Sequence, residues 1–267
     1  MTNSISWVDQ HCHLSDATAA EAIEEAAAAG VSTLIDVGCD VNGSQACIAR
    51  AERFPNVWAT AGVHPHEADG GIDGLADLLG HPRVVGVGEC GLDYHYMHSE
   101  VEAQRRVFAE QIDLANANDL ALVIHTRDAW PDTFEILESA GVPVRTVLHC
   151  FTGGPAEAER ALAMGLVISF SGIVTFPSAP EVREAAAMCP PDRYLVETDS
   201  PYLSPVPLRG KKNRPVNVAV VGTAVAEIRG VSVGTVARET SATARWLYGL
   251  AEEHSLTQHP GGPNDGA

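Results

Sequence analysis

Lysine is almost missing from this chain: its 267 residues hold two, Lys211 and Lys212, side by side. Basic residues number 17 against 35 acidic ones, a formal net charge of -18. That balance argues against binding nucleic acid or membrane through the overall field. It leaves a phosphate-bearing substrate open, because bound divalent cations invert the potential of a carboxylate-rich pocket. Four of the basic residues crowd into Arg209, Lys211, Lys212 and Arg214. This segment reads either as a solvated loop or as an anion-contacting rim.

Other absences narrow the class. The six cysteines, Cys12, Cys39, Cys47, Cys90, Cys150 and Cys189, are widely spaced and form no CxxC pair. A chain of this size does not need disulfide staples, so a reducing, cytoplasmic setting is expected. There is no basic segment followed by an apolar one at the N-terminus and no uncharged apolar run of membrane-spanning length, so no membrane association is expected. No early GxGxxG loop supports a dinucleotide fold, and no organic cofactor is expected.

What is present is a rhythm. Short apolar runs at 5–8, 31–37, 57–63, 84–89, 121–124, 145–148, 166–170 and 194–198 read as strands. Between them, 17–29, 43–53, 74–79, 101–118, 130–140, 154–164 and 179–188 read as helices, and 216–228 and 232–247 follow the last strand. Eight βα units in a chain of this length predict α/β architecture as a single (β/α)8 TIM barrel, with a doubly wound sheet as the alternative. The barrel domain is expected over 1–251. A flexible tail is expected over 252–267, where polar, proline and glycine residues dominate.

In such a barrel the C-terminal strand ends converge on one face. Here they deliver His11 and His13, Glu89, His125, His149 and Asp199, four imidazoles and two carboxylates, enough for two divalent ions. Imidazole with carboxylate favours zinc, while magnesium or manganese remain possible. Two ions a few ångströms apart can share an activated water and hold the oxygens of a phosphodiester. Asp199 and Glu89 are the candidate catalytic groups, Asp199 as a ligand able to accept the water proton. Glu197, two residues earlier, is its same-face neighbour and reads as a supporting carboxylate or an alternative base. His64, His66, Arg127 and Tyr94 are weaker candidates for substrate contact. For Phe151, loop packing is favoured over base stacking.

These residues sit in Asp9-Gln10-His11-Cys12-His13, Gly62-Val63-His64-Pro65, Gly88-Glu89-Cys90-Gly91-Leu92-Asp93-Tyr94, Ile124-His125-Thr126-Arg127, His149-Cys150-Phe151-Thr152-Gly153, Ser169-Phe170-Ser171-Gly172 and Glu197-Thr198-Asp199-Ser200-Pro201-Tyr202-Leu203. As an ordered set they resemble the TatD family of metal-dependent deoxyribonucleases, in the amidohydrolase superfamily. The resemblance implies hydrolysis of DNA from its 3′ end or a broader phosphodiesterase. It also implies one ion held by His11, His13, Glu89 and Asp199, and a second by Glu89, His125 and His149. The chain departs from the family pattern at Gln10, where Ser or Thr is usual, at Ala121, where Pro is common, and at Arg214, where Glu commonly stands.

Two other functions fit the same residues: hydrolysis of an ester or amide such as an aminoacyl ester, and a non-enzymatic barrel that binds metal or serves as an interaction platform. The sequence leaves the oligomeric state open, with a monomer slightly favoured.

Overall fold

Each β-branched apolar run forms a strand, and each alanine- and glutamate-rich segment packs over it as a helix. In the computed structural model, which describes residues 5–250, the order is β1 (Trp7–Cys12), α1 (Ala19–Ala28), β2 (Val31–Val37), α2 (Val41–Arg53), β3 (Val57–Ala61) and β4 (Val84–Asp93). Then come α3 (Val101–Asn118), β5 (Ala121–Arg127), α4 (Trp130–Ala140), β6 (Thr146–Leu148), α5 (Pro155–Ala163), β7 (Val167–Phe170), α6 (Pro180–Met188), β8 (Tyr194–Val196), α7 (Val218–Arg229) and α8 (Val233–Tyr248). The expected tail at 252–267 lies outside the described residues. No single helix among the described residues is long and apolar enough to cross a membrane.

The eight strands are parallel and pair in sequence order. The seam between first and last is made by a Cys12–Ser200 bridge, with the His13 N–H donating to the Ser200 carbonyl (2.7 Å) and the Asp199 N–H to the His11 carbonyl (2.9 Å). The sheet is thus a closed (β/α)8 barrel, as the alternation of runs predicts. Val8, Ile35, Val37, Val85, Val123, Val147, Val167 and Leu195 fill its interior, together with Ala244, Leu247 and Tyr248 from the end of α8. A larger apolar layer lies between strands and helices.

Several boundaries differ from the sequence expectation, and those of β1, β4, β5 and β8 matter to the site. β1 runs on through its polar residues to Cys12, because Asp9 and Cys12 pair with Leu34 and Asp36 of β2. β4 and β5 extend to Asp93 and Arg127, paired residue for residue from Gly91 opposite His125. Neighbouring strands satisfy backbone groups that the apolar pattern alone leaves unassigned. Conversely β8 stops at Val196, and the Thr198 N–H donates to the Asp9 carboxylate (2.8 Å) instead of a ladder carbonyl. The segment at 74–79 contains a 3-10 turn, Ala76–Leu78, in place of an α-helix.

Register irregularities fall between Asp9 and Cys12 in β1 and between Val87 and Cys90 in β4. They interrupt strict alternation beside His11 and Glu89, and such bulges re-aim side chains at barrel rims. Glycine makes the second one possible. A Cβ at Gly62 would collide with the Gly88 backbone, so its absence lets β4 close over the end of β3, where the Glu89 N–H reaches the Gly38 carbonyl (2.9 Å). Gly62→Ala is therefore expected to lower stability by about 1–3 kcal/mol through overpacking. It should lower the denaturant midpoint at unchanged slope; a parental midpoint would contradict this close approach of β3 and β4.

Candidate metal centre

A carboxylate buried without partners is strongly disfavoured, and Glu89, 3% exposed at the rim of β4, is ringed by imidazoles. Its two oxygens divide them. Oε2 faces His11 Nε2 at 3.3 Å and His13 Nε2 at 3.7 Å, both on the end of β1. Oε1 faces His149 Nε2 at 2.7 Å, His125 Nδ1 at 3.0 Å and His64 Nε2 at 3.4 Å, from the ends of β6, β5 and β3. Burial pushes the Glu89 carboxyl up, but the imidazoles, His149 foremost, hold it well below the usual range.

Asp199 completes the β1 side. It follows β8 in left-handed backbone conformation (φ 54°), and its Oδ1 lies 3.4 Å from His13 Nε2 and 3.9 Å from His11 Nε2. The chain delivers it there because Thr198 is clamped from both sides. Asp9 accepts from the Thr198 N–H and hydroxyl, and the Asn213 side chain donates to the Thr198 carbonyl (2.8 Å). The seam hydrogen bond to His11 then fixes the Asp199 backbone against β1.

Behind two of the histidines stand further carboxylates. Asp93 Oδ2 lies 3.2 Å from His125 Nε2, and Glu197 Oε1 lies 3.2 Å from His149 Nδ1. A carboxylate on the outer nitrogen orients an imidazole and leaves the inner nitrogen as a donor atom for a cation. Despite burial, Glu89 and Glu197 hold His149 well above its ordinary value, and Asp93 and Glu89 raise His125. His11, stacked on His149 at 3.8 Å, is lowered to about 4 by burial and by that neighbour.

Three donor groupings, His11/His13/Glu89, His11/His149/Asp199 and His64/Glu89/His125, each bring their ligand atoms within 4.8 Å of one another. The inner nitrogens meet in pairs, His11 with His13 at 3.3 Å and His149 with His125 at 3.4 Å. Two imidazole lone pairs facing one another need a proton or a cation between them. These spacings suit donors sharing an ion at the usual distance of about 2 Å. The residues fit divalent metal. The six strand-end candidates named from the sequence are thus gathered into one cluster.

The other sequence candidates divide. His64 accepts from the His66 N–H (3.1 Å) through Nδ1 while Nε2 faces Glu89, so it joins the donor cluster instead of standing apart on a substrate surface. His66 Nε2 lies 3.0 Å from Asp93 Oδ2. Asp93 also ties its own loop, accepting from the N–H groups of His95 and Tyr96 at 2.9 Å each. Tyr94 is not brought to the cluster. Its hydroxyl donates to Asp132 of α4 (2.7 Å), and this fixes helix to loop; Tyr96, two residues on, stands at the mouth, 52% exposed with the Arg127 guanidinium 4.6 Å from its ring centre. Phe151 is buried against Trp130 and Phe170, in a packing role. Glu197 is fully buried and reaches the centre through His149.

Sequence reasoning missed Cys39, whose Sγ lies 3.8 Å from His13 Nδ1 and 4.0 Å from Glu89 Oε2. The signal was available, since Cys39 follows β2 and strand ends share one face. It also missed Tyr202, exposed beside His13 with ring centres 6.1 Å apart. The basic loop divides as well. Arg209 stacks on Phe176, and Arg214 pairs with Glu21 (2.8 Å) and Glu25 (2.6 Å) of α1. Lys212 lines a cleft of about 310 Å³ that has His13, Ser200 and Pro201 on its wall.

The family model for TatD-related DNases matches residues 8–249. The uncharacterized metal-dependent hydrolase TatD of Mycobacterium tuberculosis is 38% identical over 258 residues, covering 91% of this chain and 98% of that protein. The 3′-5′ ssDNA/RNA exonuclease TatD of Erwinia amylovora is 36% identical, covering 85% and 92%. Among solved structures, the TatD homologue YJJV of Escherichia coli K12 superposes with a TM-score of 0.85 at 28% identity, over 92% of this chain and 98% of that one. With its imidazole–carboxylate cluster at the mouth of a barrel of the same fold, the chain belongs to the TatD-related DNase family of metal-dependent hydrolases.

Proposed function

We propose that the protein hydrolyses phosphodiester bonds at the 3′ end of unpaired DNA or RNA with two divalent ions, zinc fitting the donors best. One ion would be held by His11, His13, Glu89 and Asp199, the other by Glu89, His125 and His149. The observation that carries this reading is the splitting of the Glu89 oxygens between two imidazole groups, the arrangement of a bridging carboxylate. When bound, such a pair of ions acidifies a water and neutralises charge on phosphate oxygens.

The protein's own residues do the rest. Asp199, with its side chain 12% exposed, is the carboxylate of the cluster placed to take the proton of an attacking water. Arg127, flat against Tyr96, offers planar forked donors that match a phosphate. Tyr96 and Tyr202 expose their rings on the two sides of the cluster, near His66 and His13 respectively, and an unpaired base stacks on an aromatic face regardless of its identity. A paired duplex does not offer that face. Lys212 supplies local positive charge that the overall composition lacks. The 3′ polarity follows relatives named as 3′-5′ exonucleases.

Metal-reconstituted protein should shorten 5′-labelled single-stranded DNA from its 3′ end, with loss on chelation and recovery on adding zinc, manganese or magnesium. Glu89→Gln should lower kcat about a thousandfold or more, equivalent to about 4 kcal/mol. Asp199→Asn should cost about 10²–10⁴-fold. Release of no nucleotide from DNA or RNA with any of the three ions would overturn the proposal.

Stacking has its own readout. Tyr96→Ala should weaken single-strand binding by about 1–3 kcal/mol while hydrolysis of an abasic sugar-phosphate strand, which has no base to stack, stays at the parental rate; equal losses on both substrates would remove the stacking role.

Metal uptake should also release protons. Against burial, Cys39 first and then Asp199 and Glu89 hold His13 well above its ordinary value, and the carboxylates named above do so for His125 and His149, so an ion must displace protons from these rings. Apparent affinity therefore falls as pH falls. Calorimetric titration in buffers of different ionisation enthalpy measures this release, and identical heats in all buffers would contradict it.

A further inference from the structure

Among the described residues, no Lys or Arg is paired with the buried Glu197 carboxylate. Its charge is met by three hydrogen-bond donors: His149 Nδ1 at 3.2 Å, the Ser169 hydroxyl at 2.5 Å and the side-chain amide of Gln10. The Gln10 amide also donates to Ser169 Oγ (2.8 Å), and its oxygen accepts from the Tyr248 hydroxyl (2.7 Å). Tyr248 lies at the end of α8 and is 3% exposed, with its hydroxyl also 3.2 Å from the Gln10 carbonyl. All four partners, Gln10, Ser169, Glu197 and Tyr248, are buried.

Only one arrangement of protons satisfies this chain. A glutamine amide turned the other way would set its oxygen against a carboxylate oxygen, two acceptors in contact. The Tyr248 hydroxyl, by donating to Oε1, selects the orientation in which the NH₂ group faces Glu197. That NH₂ donates to Ser169, whose single proton is then committed to Glu197. Glu197 is left with Oε1 to accept from His149 Nδ1–H. With its proton on Nδ1 given to Glu197, the ring turns Nε2 to the Glu89 side, 2.7 Å from Glu89 Oε1, the place of a shared proton or ion.

We propose that Gln10 and Tyr248 are positioning residues for the ion bound by His149: they fix the tautomer and the angle of that imidazole through Ser169 and Glu197. This inference rests on the two-ion reading above. Gln10 matters here because of what its amide offers at this position. A β-hydroxyl has one proton to give and cannot serve Ser169 and Glu197 together. The amide turns one NH₂ edge to both, and Tyr248 at the other end of the hydrogen-bonded chain keeps that edge turned inward.

Two variants test the proposal, each preserving bulk: Tyr248→Phe, which removes only the hydroxyl, and Gln10→Met, which removes the amide. Cobalt or zinc is titrated into protein stripped of metal, without substrate, and followed by calorimetry and by the visible bands of cobalt. Wild type should bind two ions. Both variants should lose about 10–100-fold in affinity for one ion, the usual cost of disturbing an outer partner of a metal-bound histidine, with the affinity for the other ion kept. Tyr248→Phe should fall at the mild end and Gln10→Met at the severe end. Wild type binding fewer than two ions would overturn both this inference and the two-ion reading. Two ions bound by wild type and by both variants with the same affinities would overturn this inference alone, as would equal weakening of both ions alongside a lowered midpoint.

Discussion

A single buried charge organises the open end of this barrel. Glu89 sits out of water among five imidazoles, and every one of them reaches it from a strand end: β1, β3, β5 and β6 each contribute. A carboxylate so placed is tolerable only if positive charge, as protons or as metal ions, is shared around it. The sequence of the rim follows from that need. Gly62 and Gly88 let Glu89 approach, bulges in β1 and β4 break the alternation beside the ligands, and Asp93 and Glu197 stand behind His125 and His149.

The electrostatic design is also a division of labour. The interior of the barrel below the rim is aliphatic, filled by valine, isoleucine and leucine. The polar side chains above it are bonded in groups instead of scattered, Gln10 with Ser169 and Glu197, and Asp9 with Thr198. A fully bonded polar layer is stiff, while a half-bonded one is costly. Stiffness here serves a centre in which small angular errors in an imidazole matter. Flexibility is left to the exposed side chains of Tyr96, Tyr202 and Lys212 at the mouth.

Much of this could be read from the residues themselves. The βα rhythm gave the barrel, and the rule that strand ends converge gave His11, His13, Glu89, His125, His149 and Asp199 as one cluster, which the structure assembles. What escaped reading shares a physical cause: side-chain partners distant in sequence. Tyr94 and Tyr96 are equivalent in composition, and only the position of Asp132 on α4 decides which hydroxyl is tied down and which ring is left at the mouth. Gln10 looked like a bystander because its partners lie 159, 187 and 238 positions away. Arg214 pairs with Glu21 and Glu25 on α1, again partners far away in sequence. The bulges are invisible to a period-two pattern, since they are departures from it.

The seam between β1 and β8 has a consequence for how the protein comes into being. A chain emerging from the ribosome presents β1 first, and the free edge of β1 has no partner until Tyr194–Ser200 has been made. Five of the six strand-end residues of the cluster therefore exist before the barrel can shut, on an open sheet whose unpaired edge invites association with other chains. Asp199 arrives with the closing strand, and Tyr248 arrives at the end of the last helix. Chain order thus makes closure of the barrel and completion of the metal centre a single late event, so that a truncated product is both an exposed sheet and an unfinished enzyme.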